Sequence, residues 1–376
     1  MPDEAVIVAA RRTPIATRGR ALARLRVEQL AAPVIRAAVG DAEEAMRHEL
    51  TVADVVLGNC MGPGGNPARV AALAAGLGVE TTGATVDRQC GSGLAAVLDA
   101  AAAIRAGDAR PRVAGGVESA STAPVRSIDG VPYTRAPFAP QGWPDPDMLQ
   151  AADDLARLDG IGRERQDAHA ARSHRRARAA RDAGRFADEI VPVAESPSQD
   201  DAVGQAEALL PRLTPLLPDG TVTAGTATRL SDGAAAVVVV PAGAVTGIRG
   251  LAVRGSAVVG CDPALPGIGA APAVLAALED AGAGIAQVAA FEIVEAFAAQ
   301  SIAVLGRLGL DDDDPRVCAD GGALALGHPW GASGAVSMLR LFSRLVRGGA
   351  PTGTLGVSAA SIGGGMGIAA VVEVVG

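Results

Sequence analysis

The stretch Asp87-Arg88-Gln89-Cys90-Gly91-Ser92-Gly93-Leu94 decides how this chain folds, because an apolar strand ends there and a helix begins. The strand pattern stops at Val86, and apolar residues then recur at helical spacing as far as Ile104. The two glycines permit a sharp turn and a close approach of the backbone. The pattern therefore predicts a strand–turn–helix unit with Cys90 at the start of the helix.

The position of Cys90 has a chemical consequence. Unpaired backbone N–H groups and the positive end of the helix dipole favour a thiolate, which is the nucleophilic form of cysteine. Cys90 is therefore a candidate nucleophile. A single cysteine in such a chain is also commonly a small buried hydrophobic residue, so this stretch alone leaves a structural role open.

Composition restricts the class of protein. The chain has 376 residues, 49% of them hydrophobic and 20% charged, which predicts a large core and about two to three domains. No apolar run reaches the roughly 18 residues of a membrane span. The N-terminus enters a strand without a basic segment, so we expect no secretory signal, no membrane partner and a cytoplasmic location.

Cysteine spacing and charge exclude further classes. The four cysteines lie far apart without a CxxC pair, which argues against a disulfide framework or a zinc site. His169 and His174 are five residues apart, a spacing that does not place them on one helical face to bind a metal. A net charge of −8 and 2% aromatic residues argue against nucleic acid as a partner.

Strands alternate with helices along most of the chain, which predicts an α/β sheet with covered faces. The expected strands are Ala5–Ala9, Val52–Leu57, Ala84–Val86, Arg112–Gly116, Ala236–Val240, Leu251–Val259, Ala289–Ile293, Thr354–Ala359 and Gly367–Val375. The expected helices are Arg26–Val39, Ala68–Ala75, Leu94–Ile104, Arg163–Arg185, Ser231–Ala235, Ala270–Ala281, Ala296–Leu308 and Ala335–Val346.

The alternation of strand and helix patterns stops between residues 119 and 214, where a proline-rich loop precedes an arginine-rich helix. We interpret this part as an insertion. Its basic helix could approach the phosphates of a cofactor, but such a face is commonly just solvated, and we favour the solvated interpretation. The expected organisation is 1–118 as the first part of an N-terminal half, 119–214 as an inserted loop domain, 215–247 as the second part of that half, and 248–376 as a C-terminal half.

Three further segments could meet the Cys90 thiol. Residues 327–334 place His328 in a glycine-rich loop, Val294–Ala298 opens a helix, and residues 361–365 expose backbone N–H groups at a tight turn. Taken singly, each has an ordinary structural explanation, since a lone histidine is often a satisfied core residue.

In this order the segments resemble the thiolase family along almost the whole chain. The matching stretches are Asn66–Arg69, Cys90–Leu94, Ala114–Ser119, Asp188–Val193, Thr221–Gly225, Glu295–Gln300, Gly322–Pro329 and Gly363–Gly367. The resemblance implies a thiolase-like five-layered α-β-α-β-α fold from two similar halves with an inserted loop domain. It also implies a homodimer or a dimer of dimers, with acyl-CoA and coenzyme A as substrates and no permanently bound cofactor or metal.

The resemblance assigns roles to single residues. Cys90 is the acyl acceptor and His328 its activator. The backbone N–H groups of Cys90 and Gly363 form one oxyanion hole, and His328 donates to the other. Ser361 occupies the position of the second catalytic cysteine. The residues expected to bind substrate and coenzyme A are Met148, Ala224, Thr226, Thr228, Val294, Ala296 and Phe297.

Several departures from the family pattern bear on the reaction. An alcohol is a far weaker acid than a thiol, so Ser361 is poorly suited to cycle as the base that removes a proton next to a thioester. Val294 replaces an asparagine and cannot hold the water of the second oxyanion hole, a loss that typically costs ~3 kcal/mol of transition-state stabilisation. Smaller departures are Asp147 for a histidine, Thr226 for an asparagine, and a shortened segment over 196–214 that would ordinarily help to bind the phosphates of coenzyme A.

Four functions remain open at this point. The chain takes an acyl group, expected to be acetyl, from acyl-CoA onto Cys90 and passes it to an acceptor that needs little help from a base, with C-acyl transfer as the expected reaction. Such acceptors include an acidic β-dicarbonyl carbon, an electron-rich ring, a thiol or an amine. Alternatively, it is an ordinary acetyl-CoA C-acetyltransferase with reduced activity, or a non-catalytic thiolase-like scaffold. Without the family, the residues also allow a cysteine hydrolase of thioesters, although no Asp or Asn is placed by sequence to orient His328.

Overall fold

The computed structural model describes residues 4–193, 198–204 and 207–376. Within these residues the strands are Ala5–Arg12 (β1), Ala16–Thr17 (β2), Asp54–Gly58 (β3), Thr82–Val86 (β4), Arg112–Glu118 (β5), Arg126–Ile128 (β6), Val131–Tyr133 (β7), Ser231–Pro241 (β8), Gly250–Gly260 (β9), Val288–Ile293 (β10), Leu355–Ile362 (β11) and Met366–Val375 (β12). The α-helices are Val27–Met46 (α1), Pro67–Ala74 (α2), Ser92–Arg105 (α3), Met148–Leu158 (α4), Arg163–Asp182 (α5), Ala270–Asp280 (α6), Ala298–Leu308 (α7), Ala323–Leu326 (α8) and Trp330–Leu341 (α9).

The strands of the two halves run in the order β10-β11-β12-β9-β1-β8-β5-β3-β4. β1 and β9 join the halves through two residue pairs, Val6 with Ala252 and Ile7 with Leu251. β3 pairs in parallel with β4 and β5, whereas β8 and β12 are antiparallel to their neighbours. Each half therefore contributes a mixed sheet, and the short β1–β9 contact makes them continuous.

Helices cover both faces of each sheet. One hydrophobic core packs α1 and α2 on the N-terminal sheet, and another packs α6 and α7 on the C-terminal sheet. A third core places α3 and α9 between residues of both sheets. The order of layers is thus α-β-α-β-α, which confirms the predicted fold class.

Glycines let α3 and α9 approach closely at the centre of the molecule. A Cβ on Gly93 would lie 2.8 Å from the backbone oxygen of Gly331, and a Cβ on Gly334 would lie 2.5 Å from the backbone nitrogen of Leu94. Both distances are shorter than real Cβ contacts, so these positions need glycine. The expected helix Ala335–Val346 begins earlier, at Trp330, because the glycines before residue 335 serve helix contact and do not form a loop.

The predicted helix Ser231–Ala235 is wrong, since these residues begin β8. The alanine-rich sequence favoured a helix locally, but β8 lies in the middle of the sheet and pairs with β1 on one side and β5 on the other. Every residue of β8 is buried. The ladder hydrogen bonds and the burial of the following valines therefore override the local helix propensity.

Buried ion pairs connect the region predicted as an insertion to both halves. Glu189 accepts hydrogen bonds from Arg12 of β1, with Nε–Oε1 at 2.8 Å, and from Arg340 of α9. Asp200 accepts a hydrogen bond from Arg12 at 2.6 Å. All four side chains are buried, so they hold the insertion against the C-terminal end of α9. Residues 196, 197, 205 and 206 of the shortened segment lie outside the described residues.

Across the part of the chain that the structure describes, no helix combines the length and apolar character needed to span a membrane.

Candidate active site

Cys90 lies at the entry to α3, as the sequence predicts, immediately before Gly91. The turn is fixed by Ser92, whose hydroxyl donates to the carbonyl oxygen of Gln89 at 2.7 Å and accepts from the backbone N–H of Arg88 at 2.7 Å. Gln89 has a left-handed backbone with φ of 47°. The glycine after the cysteine is required by space, since a Cβ there would lie 2.4 Å from Ile362.

His328 lies between α8 and α9, and its Nε2 is 3.3 Å from the sulfur of Cys90. Its Nδ1 is 2.6 Å from the hydroxyl oxygen of Ser333, and that hydroxyl lies 3.0 Å from the carbonyl oxygen of Pro329. A hydroxyl has one proton, and the carbonyl can only accept it. His328 therefore donates from Nδ1 to Ser333 and presents an unprotonated Nε2 to Cys90.

Ser333 is a residue that the sequence interpretation missed. The predicted glycine-rich loop 327–334 gave it no defined position relative to His328. In the structure α9 starts at Trp330, which brings Ser333 back toward the histidine ring within the first turn. The spacing between His328 and a hydroxyl five residues later is the signal that could have identified it.

Burial dominates the protonation state of the Cys90–His328 pair. It raises the pKa of the Cys90 thiol to about 12, although the backbone amides of Cys90 and Gly363 act in the opposite direction. Burial also lowers the pKa of His328 to about 4. The backbone N–H groups at the helix start do favour the thiolate, as the sequence indicates, but desolvation outweighs them. At neutral pH the pair is a neutral thiol facing a neutral imidazole.

The end of β11 brings Gly363 and Ser361 to the same site. The effect of the Cys90 and Gly363 amides on the thiol pKa places both near the sulfur, the arrangement expected of an oxyanion hole. Gly363 also contacts the ring of Phe138, since a Cβ there would lie 2.7 Å from that ring. The catalytic role of Gly363 stays a prediction.

The hydroxyl of Ser361 makes hydrogen bonds both as a donor and as an acceptor. It donates to the carbonyl oxygen of Gly267 at 2.7 Å and accepts from the backbone N–H of Ala270 at 3.0 Å. Ala270 is the first residue of α6, so Ser361 satisfies an N–H group at the start of this helix. Its only proton is therefore donated to the protein backbone.

A cavity of about 190 Å³ lies next to Cys90. The predicted residues that line it are Cys90, Met148, Thr228, Ala296, Phe297, His328, Ser361 and Gly363. Lining residues that the sequence interpretation did not select include Phe138, Ala151, Ala152, Leu155, Pro266 and Trp330. Trp330 is the first residue of α9 and follows His328 closely in sequence. The others come from α4, from the proline-rich loop and from the segment before α6, and no local motif relates these segments to Cys90.

Three predicted binding residues do not line this cavity. Val294 lines a separate cavity of about 30 Å³ that Glu292, Ser333 and Arg340 also line. Thr226 is buried, and its hydroxyl accepts from the backbone N–H of Thr223 at 2.8 Å. Ala224 is exposed. The roles of these three residues in binding substrate or coenzyme A stay predictions.

Glu118 ties the loop after β3 to α9 beneath the site. Its carboxylate accepts from the backbone N–H groups of Cys60, Met61 and Gly331 at 2.9–3.1 Å, and from the side chain of Asn59 at 3.0 Å. Burial raises the pKa of Glu118 to about 7 despite these donors. One side chain therefore positions the start of α9, and with it the segment that carries His328.

The described residues contain no group of three or more His, Cys, Asp or Glu side chains arranged to hold a metal ion. His169 instead contacts Glu295 at 3.2 Å.

Comparison with known proteins identifies the family to which this chain belongs. Residues 5–243 match the N-terminal domain of thiolase, and residues 250–374 match its C-terminal domain. The chain belongs to the thiolase family. This membership confirms the resemblance drawn from the motifs and places the protein among the acyltransferases of the thiolase type.

Similar thiolases cover nearly the whole chain. An acetyl-CoA acetyltransferase of Chromobacterium violaceum is 40% identical, with 98% of this chain and 99% of the relative covered. A 3-ketoacyl-CoA thiolase of Erwinia tasmaniensis is also 40% identical, with 99% of each covered. The crystal structure of the Bacillus anthracis acetyl-CoA acetyltransferase is similar with a TM-score of 0.90 at 34% identity, covering 99% of each chain.

Proposed function

We propose that this thiolase takes an acyl group from acyl-CoA onto Cys90 and transfers it to an acceptor that needs no strong base, most simply an acceptor carbon. The observation that carries the proposal is the contact between His328 Nε2 and the Cys90 sulfur at 3.3 Å. A thiol with a raised pKa needs a neighbouring base at hydrogen-bond distance to become a nucleophile.

The first half-reaction uses residues that the site retains. The thiol proton passes to Nε2 of His328 while the sulfur attacks the thioester carbonyl. The resulting oxyanion lies near the backbone amides of Cys90 and Gly363, which act as preorganised donors. The bond between the acyl carbon and the sulfur of coenzyme A then breaks, and His328 returns its proton to the departing thiolate. Coenzyme A is thus a product and not a resident cofactor.

The second half-reaction is where this chain differs. Removing a proton next to a thioester requires a base, and the hydroxyl of Ser361 is a weak acid whose proton is already donated to Gly267. An acceptor whose attacking atom is already ionised or electron-rich does not need that step. Such an acceptor attacks the acyl-Cys90 carbonyl, the bond between the acyl carbon and the Cys90 sulfur breaks, and Cys90 leaves as a thiolate. A protic acceptor passes its proton through Nε2 of His328 to this thiolate, whereas after attack by an already ionised acceptor the thiolate takes its proton from water.

Ordinary acetyl-CoA C-acetyltransferase activity is the second candidate. The relatives of about 40% identity that carry this name favour it. His328, acting through water, would then replace the missing thiolate base, and turnover would be reduced. A non-catalytic scaffold or a thioester hydrolase has less support, because a scaffold has no need for the Cys90–His328 contact and the partner of His328 Nδ1 is a serine hydroxyl.

We also propose the assembly expected from the sequence, a homodimer or a dimer of dimers. Among the residues that the structure describes, no strand pairs with the outer edge of β4, and β4 leads directly into the Cys90 turn. Light scattering of the purified chain measures the state, and a monomer at micromolar concentration would contradict this proposal.

The test of the function is direct detection of acyl-Cys90. The protein is incubated with acetyl-, butanoyl- and hexanoyl-CoA in turn, and the adduct is located by intact and peptide mass spectrometry. We expect an adduct on Cys90 with at least one donor and none in Cys90→Ala. Absence of an adduct with every donor contradicts both enzymatic candidates.

A further inference from the structure

One wall of the active-site cavity is almost free of polar side chains. Ala151, Ala152 and Leu155 of α4 contribute to it, and Pro266 and Gly267 continue it before α6. The three α4 residues are 4%, 4% and 1% exposed. Since α4 also has an exposed face, its apolar side is turned to the cavity and the core.

Hydrogen bonds hold this wall in place. Asp147 caps α4 by accepting from the backbone N–H of Leu149 at 2.9 Å. Asp153 accepts from the backbone N–H groups of Thr221 at 2.6 Å and Val222 at 3.1 Å. The helix is therefore held by hydrogen bonds at its start and at its middle. Asp147, which replaces the histidine of the family pattern, caps the first turn of α4.

Packing behind the wall limits its movement. Leu155 belongs to a hydrophobic cluster with Ile302 and Ala303 of α7. A Cβ on Gly267 would lie 2.9 Å from Leu155 and 3.3 Å from Gln300, so these segments are already in close contact. The shape of the cavity is thus built into the fold.

The cavity is larger than an acetyl group requires. An apolar cavity of about 150 Å³ accommodates a benzene molecule, and this one measures about 190 Å³. The thiol end of coenzyme A must share this cavity, because the residues expected to bind it also line it. An acetyl group adds only a single methyl beyond its carbonyl and would cover little of the apolar wall. An acyl group with several methylene groups or a branch would cover it.

We propose that the acyl group carried by Cys90 is apolar and has about four to six carbons, and that Ala151, Ala152 and Leu155 determine this preference. The inference rests on the proposed function and adds its substrate class. The small side chains of the two alanines leave the space, and Leu155 limits its depth.

The first test uses the unmodified protein. The second-order rate of Cys90 acylation is measured with acetyl-, butanoyl-, hexanoyl- and octanoyl-CoA by quenched-flow mass spectrometry. Each buried methylene raises the binding constant about fourfold. We therefore expect the second-order rate of Cys90 acylation to be at least about tenfold higher with hexanoyl-CoA than with acetyl-CoA. Equal or faster acylation by acetyl-CoA overturns the inference but leaves the proposed function standing, whereas no acylation by any donor overturns the proposed function itself.

The second test changes the wall. Ala152→Leu fills the space, and we expect it to lower the ratio of hexanoyl to acetyl acylation by at least about tenfold. Leu155→Ala should shift the preference toward octanoyl-CoA. Gln150→Leu, on the exposed face of the same helix, is the matched control and should keep the ratio. An unchanged ratio in folded Ala152→Leu overturns the assignment, and if that variant does not fold, the first test decides.

Discussion

The hydroxyl of Ser333 lies 2.6 Å from Nδ1 of His328 and donates its own proton to the carbonyl oxygen of Pro329. This arrangement selects the tautomer in which Nε2 is free to accept the proton of Cys90. Ser333 does not line the cavity beside Cys90, so it acts as a positioning residue for His328.

Ser333→Ala should slow the acylation of Cys90 by about 10- to 100-fold, because the imidazole loses the partner that fixes its tautomer. Ser333→Thr keeps the hydroxyl and should restore most of the rate. The measurement is single-turnover acylation as a function of pH, with thermal unfolding as the check on folding. Equal rates for wild type and a folded Ser333→Ala would contradict the assignment.

The reactivity of Cys90 should depend on the reagent. With iodoacetamide, alkylation requires the thiolate, and a pKa of about 12 predicts a rate that rises about tenfold per pH unit between roughly pH 7 and pH 10. Acylation by acyl-CoA moves the proton to His328 and should change little over that range. It should decline only as the pH falls toward the His328 pKa of about 4. A plateau of alkylation near pH 7 would show a resting thiolate instead.

Ser361→Cys should raise the turnover of acetoacetyl-CoA, because cleavage requires a group that gives a proton to the departing acetyl-CoA carbanion and then takes one back, and a thiol can cycle in this way where the alcohol cannot. Val294→Asn, which restores the family residue at the second altered position, is measured in the same assay for comparison. Turnover is followed by acetyl-CoA formation in the presence of coenzyme A. If Ser361→Cys leaves turnover unchanged, proton abstraction is not the step that limits ordinary thiolase activity in this chain.

Glu118→Gln should destabilise the protein by about 1–3 kcal/mol, since an amide cannot accept from all the donors that surround the carboxylate. The exposed Glu80→Gln is the control, for which we expect a change within about 0.5 kcal/mol. Urea unfolding of both variants at one pH measures the difference. Equal stabilities would mean that the carboxylate does not hold the loop after β3 to α9.

The sequence predicted the layered α/β fold, the position of Cys90 at a helix start and the four segments that meet there. These features depend on local pattern and on the order of motifs. It could not predict the protonation state of Cys90, because the pKa depends on how completely the helix start is buried by β11 and α9.

Other errors have equally specific causes. Ser231–Ala235 was predicted as helix because local propensity does not report the two strands that flank β8. The first turn of α9 was missed because Gly331 and Gly334 suit a loop until α3 is known to pack against them. Ala151 and Leu155 are ordinary core residues in sequence, and only the placement of α4 beside Cys90 gives them a function.

The central claim, that His328 activates Cys90 to accept an acyl group, is tested most directly by a single turnover without acceptor. Wild type and His328→Ala are mixed with excess acyl-CoA, and released coenzyme A and the adduct on the Cys90 peptide are quantified together. The account predicts about one coenzyme A and one acyl group per wild-type site, with formation at least about 100-fold slower in His328→Ala. Acylation at the same rate in the folded variant, or acyl transfer to another residue, would contradict it.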